Sequence, residues 1–84
     1  MVNLVEEIQQ HNADAYFYDG YEDAIMGICE QFGRPPVVAY DFEKCIDILI
    51  ERDGMSREEA VEFFDFNTLG TGLGENTPVF VYQL

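Results

Sequence analysis

Between Asp41 and Asn67 the chain carries two helical patterns back to back, and they leave little freedom for the rest of an 84-residue fold. Asp41 is placed as an N-cap for a helix over Phe42 to Arg52. Phe42, Cys45, Ile46 and Leu49 share one face of it, and Ile48 and Ile50 widen that face. Asp53-Gly54 ends the helix, because glycine accepts the left-handed conformation that closes one. Ser56-Arg57-Glu58-Glu59 then opens a second helix as a capping box, with Met55 placed to pack on Ala60 as a hydrophobic staple. Its apolar residues are Ala60, Val61, Phe63, Phe64 and Phe66, and it is expected to fray near Asn67. Two such helices need a common apolar surface to cover, and a sheet supplies one.

The flanking sequence supplies the strands. Asn3 caps a short first helix with Glu6 in the capping-box position, Leu4, Val5 and Ile8 as its stripe, and an end near His11 and Asn12. Ala15 to Tyr18 is aromatic and extended in character, and Asp19-Gly20 is a turn. Ala24 to Phe32 and Val37 to Tyr40 read as a β-hairpin. Gly33-Arg34-Pro35-Pro36 reads as its longer loop, since neither proline can donate to a ladder. Thr68 to Asn76, with Gly70, Gly72 and Gly74, reads as another loop, and Pro78 to Tyr82 as a terminal strand. The order α-β-β-α-α-β predicts one α+β domain over residues 1–84. Its expected form is a small antiparallel sheet of three or four strands with helices packed on one face.

Charge limits the partners. Lys and Arg number 4 against 17 Asp and Glu, a net charge of −13, which opposes direct contact with nucleic acid or anionic lipid and favours a partner with a basic surface. The alternative is that acidity serves only solubility or reflects a salt-adapted host. A hydrophobic content of 48% rules out a disordered reading. Cys29 and Cys45 are the only cysteines, expected to be reduced and buried. Met1 to Gln10 has neither the basic start nor the apolar run of a signal peptide, and no stretch reaches membrane length, so a cytoplasmic protein is expected.

The catalytic inventory is thin, and the expectation is a protein that is not an enzyme and holds no cofactor. His11 is the only histidine and is expected to face the carbonyls at the end of its helix. Gly70-Thr71-Gly72-Leu73-Gly74 follows a helix and precedes a strand, the reverse of a phosphate cradle, and Glu75 would repel a phosphate. Asp19, Glu22 and Asp23 cluster in a turn, but their spacing does not match a calcium-binding loop, so no metal site is expected. The helical acids are more telling. Glu43, Asp47 and Glu51 recur at i, i+4 and i+8, stacked on one helix face about 6 Å apart. Glu58, Glu62 and Asp65 do much the same on the next helix. Like charges so spaced destabilise a helix, and a merely solvated face would mix signs. These six acids, with Asp19, Glu22, Asp23 and the adjoining Tyr21, are the candidate partner-binding residues.

The segment DGMSREEAVEFFDFN (Asp53 to Asn67), followed by GENTP (Gly74 to Pro78), resembles a small uncharacterised protein family of tailed bacteriophages and prophages. The resemblance covers roughly Asp19 to Tyr82. It implies a setting and brings no catalytic or binding residues with it. Within that setting the expected function is an acidic accessory protein that binds a basic surface of a host or phage protein, including inhibition of nucleic-acid-binding defence machinery. The alternative is a structural or assembly protein forming a homo-oligomer through the sheet edge offered by Val79 to Tyr82.

Overall fold

The computed structural model describes residues 3–66 and 74–84. Helix α1 spans Leu4–His11, strands β1 and β2 span Ile25–Gln31 and Arg34–Asp41, helices α2 and α3 span Phe42–Asp53 and Arg57–Phe64, and strand β3 spans Val79–Val81. Short 3₁₀ turns at Glu22–Ala24 and Gly74–Asn76 precede β1 and β3. The α+β class and the α-β-β-α-α-β order follow the sequence expectation.

Each helix begins where its cap dictates. The Asn3 side chain accepts from the Val5 and Glu6 amides, and Asp41 accepts from the Lys44 amide at 3.3 Å. Ser56 and Glu59 close both halves of the capping box, at 3.2 and 3.1 Å, and that bonding holds the Glu59 carboxyl below its usual range. Gly54, at φ 67°, ends α2.

The strand order is β1-β2-β3. β1 and β2 form the expected antiparallel hairpin, but β3 pairs with β2 in parallel, Ala39 to Val79 and Asp41 to Val81, where an antiparallel ladder was expected. The pair of helices between β2 and β3 supplies the crossover that parallel strands require. The expected hairpin loop also needs correction. The hairpin turns in two residues, Phe32-Gly33, and Pro35 and Pro36 lie inside β2. They are tolerated there because β3 reaches only Ala39 to Asp41, and because the register slips so that both prolines oppose Glu30 alone. Ala15 to Tyr18, read as extended, joins no ladder. It is held by side chains, the Tyr18 amide donating to the Tyr40 hydroxyl at 2.8 Å.

One core joins all three helices to the sheet: Ile8 of α1, Cys45, Ile46 and Leu49 of α2, and Ala60 and Phe64 of α3 meet Val38 and Tyr40 of β2. Neighbouring Val37 and Ala39 are buried too, so β2 is covered on both faces. Burial raises the Tyr40 hydroxyl and the Cys45 thiol to pKa values of about 12 each. Both cysteines are free; Cys45 is fully buried as expected, whereas Cys29 is half-buried.

Gly20 shows where the turn before β1 is pinned. Its φ is +92°, and a Cβ there would stand 2.6 Å from the Arg52 guanidinium, which lies 5.5 Å from the Tyr21 ring centre. Gly20→Ala is expected to cost about 1–2 kcal/mol, most of it backbone strain, since the guanidinium can move aside. Urea unfolding of Gly20→Ala alone and in an Arg52→Ala background checks this. If the cost disappears in the second background, the steric contact and not the dihedral is responsible.

Candidate functional site

Helices α2 and α3 lie side by side and present the acids picked from the sequence. Asp47 and Glu51 on α2, Glu58 and Glu62 on α3 and Asp65 at its C-cap are exposed, and Asp19, Glu22 and Asp23 are exposed on the turn before β1. Amphipathicity places them there: each helix buries its apolar residues in the common core and leaves the opposite side to carboxylates.

Two members of the set do other work. Glu43 takes both arms of the Arg57 guanidinium at 2.8 Å each, tying the start of α2 to the start of α3. An arginine at the first position of a helix opposes the helix dipole, and the Glu43 carboxylate offsets that cost. Tyr21 is a core residue, 7% exposed, with its ring edge-on to Phe64 at 5.9 Å and the Arg52 guanidinium above it. It presents almost nothing to a partner, and the expectation of a binding role for it is corrected. The spacing that placed it among carboxylates on the turn could not show that the turn folds its aromatic ring inward. Arg52 in turn contacts Asp53 at 3.4 Å. Two of the four basic residues are thus engaged within the fold.

The pair between Glu43 and Arg57 has a pH signature. The Arg57 guanidinium, by hydrogen bonding first and charge second, holds the Glu43 carboxyl below its usual range. Its contribution is therefore present above the unfolded carboxylate pKa and lost as pH falls through the lower folded value. Arg57→Gln should lower the thermal midpoint at neutral pH, and the gap to the unmodified protein should close in strong acid. A gap that persists unchanged in acid, in paired melts across the range, would assign the effect to something other than this pair.

The remaining sequence candidates fall apart in space or outside view. Glu22 folds back to accept the Gly20 amide at 3.3 Å. Among the described residues no group of three or more His, Cys, Asp or Glu stands close enough to hold a metal ion. Most of the glycine-rich stretch, from Gly70 to Leu73, lies outside the described residues; Gly74 begins a 3₁₀ turn. His11 is the last residue of α1 and lines a cleft between that helix and β1, a feature no sequence pattern marked. No helix among the described residues is long and apolar enough to cross a membrane. Compared with family models, with curated proteins and with solved structures, the chain gives no match.

Proposed function

We propose that this protein acts by binding a basic surface of another protein, with the carboxylates of α2 and α3 standing where that surface ordinarily holds phosphates. The observation that carries the reading is the exposure of Asp47, Glu51, Glu58 and Glu62 on two adjoining helices, with Asp65 at the end of the second, in a chain of net charge −13. Such a surface accelerates encounter with a basic partner and repels nucleic acid. In a phage or prophage setting the partner is a host or phage protein that handles nucleic acid, and binding blocks it. The protein then works in the host cytoplasm, with no catalysis and no cofactor.

The test is capture from a bacterial lysate at low and high salt, beside a variant carrying Asp47→Lys, Glu51→Lys and Glu62→Lys. Glu43 is left in place because it ties the two helices. A nucleic-acid-binding protein retained at low salt, released by double-stranded DNA and absent from the variant supports the reading. A partner that the variant retains equally well removes it.

A second reading is self-assembly, favoured by the position of β3 as an outer strand with Val81, Tyr82 and Leu84 exposed beside it. Salt separates the two. Contact with a basic partner weakens as salt rises, whereas association between two copies of a −13 chain strengthens because their repulsion is screened. Sedimentation across a salt series reads the difference.

A further inference from the structure

We propose that the cleft between α1 and the outer strand β1 seats one apolar side chain of a basic, extended partner segment, which pairs briefly along the free edge of β1. The inference rests on the partner being basic, as argued above, and adds where its backbone is gripped.

The cleft holds about 130 Å³ and is walled by Leu4 and Ile8 of α1 and by Gly27 and Ile28 of β1, with Glu7 and His11 one helical turn apart at its lining. Cavities near 150 Å³ with such walls accept a ring the size of benzene, so a single leucine or phenylalanine side chain is the right scale. Ile8 is buried and gives a fixed floor, whereas Leu4 is 47% exposed, an aliphatic wall open to solvent.

The strand beside the cleft is open as well. Among the described residues β1 pairs only with β2, so its other edge has no ladder partner. Protein edges are commonly blunted by charge, proline or a bulge. From Ile25 to Cys29 no charged side chain protects this one. A register slip at Met26, with Gly27 at φ +152°, does interrupt it. What remains regular is Gly27 to Cys29, before the second slip at Glu30, enough for one or two hydrogen bonds and too short to recruit a strand indiscriminately. A short edge needs an anchor to become specific, and the adjoining cleft supplies one.

Charge selects the occupant. Glu7 stands in the cleft lining and Glu30 on the strand, in a chain of net charge −13, so residues flanking the anchor are Lys or Arg. A second copy of this chain is a poor occupant, since it would bring its own Glu7 and the same net charge to the contact.

The experiment is an amide NMR titration of the full chain with the capped peptide Lys-Lys-Val-Leu-Val-Lys-Lys and with its counterpart in which Glu replaces Lys. The basic peptide should shift Leu4, Glu7, Ile8, His11 and Gly27 to Cys29, and the acidic one should not bind. Glu7→Gln, which keeps shape and removes charge, should weaken binding roughly tenfold. The Asp47→Lys, Glu51→Lys, Glu62→Lys variant should weaken it by no more than about threefold, through the lost long-range field. Shifts centred on Asp47, Glu51 and Glu62 with the cleft silent would overturn the inference and leave the acidic-helix reading standing. Equal binding of the acidic peptide, indifference to Glu7→Gln, or no binding at all would also overturn it. Concentration-dependent shifts at the same amides without peptide would assign the cleft to a second copy instead.

Discussion

Replacing Phe64 by alanine is expected to leave the domain largely unfolded near body temperature. Phe64 is fully buried, and its ring meets three others edge-on: Tyr21 at 5.9 Å, Phe42 at 5.5 Å and Phe80 at 4.8 Å. Through these contacts one side chain joins α3 to the turn before β1, to α2 and to β3. Truncating a buried phenylalanine costs about 3–5 kcal/mol in transfer and cavity terms together. A domain of this length has a total stability of roughly 4–13 kcal/mol, at 0.05–0.15 kcal/mol per residue. The loss is therefore a large share of the whole. Thermal unfolding by circular dichroism should show the midpoint falling by at least about 12 °C, at about 4–8 °C per kcal/mol for so small a domain. Phe64→Leu should retain much of the stability, because it refills most of the volume. A midpoint within a few degrees of the unmodified protein would mean that the three ring contacts are not what holds α3 in place.

The variant with Asp47→Lys, Glu51→Lys and Glu62→Lys is expected to lose its partner and to become more stable in the same step. Each reversal changes the charge by two, moving the chain from −13 to −13 + 6 = −7. Asp47 and Glu51, and likewise Glu58 and Glu62, are like charges one turn apart. The substitution at 62 turns the like pair with Glu58 into an opposite one, and that at 47 does the same with Glu43, each returning a few tenths of a kcal/mol, while positions 47 and 51 stay alike in sign and gain nothing from one another. On the binding side three carboxylates facing a basic surface become three repulsive contacts, a loss on the order of a hundredfold or more in affinity. Opposite signs for folding and binding are what a surface kept acidic for function produces. The paired readout is the melting midpoint at low salt together with capture of the partner. Should the midpoint fall, the acids stabilise the fold, and selection for binding is no longer needed to account for them. Added salt should raise the midpoint of the unmodified protein for the same reason, and the variant's less.

Most of the framework was legible because its signals are local. Asn3, Asp41 and Ser56 are caps whose hydrogen bonds close within three residues, and Gly54 ends a helix by its own dihedral freedom, so residue type alone places four helix boundaries. The errors lie where distant contacts decide. Pro35 and Pro36 read as a loop because a central strand has no place for a missing donor, yet β2 is central only over Ala39 to Asp41. The direction of β3 could not be read, since Pro78 to Tyr82 has the same alternation whichever way it pairs. The candidate surface was legible in the same measure. The exposed acids follow from helical spacing, but the Arg57 grip on Glu43 spans fourteen residues and the inward turn of Tyr21 depends on Phe64 and Arg52. The cleft between α1 and β1 left no mark in the sequence, because its walls come from two elements with ordinary apolar residues.

The parallel pairing of β3 sets an order in time. Ala39 meets Val79, Tyr40 meets Phe80 and Asp41 meets Val81, each across forty residues that include both α2 and α3. The β1–β2 hairpin and the capped helices can form from neighbours, whereas β3 has nothing to join until those helices have docked and brought the chain back. It arrives last and, by the same logic, leaves first. Hydrogen exchange should find the Val79 to Val81 amides opening at lower cost than those of β2's inner pairs with β1. Each such opening strips Phe80 from Tyr40, on which it stacks at 5.6 Å, and lays bare the side of β2 that β3 had covered.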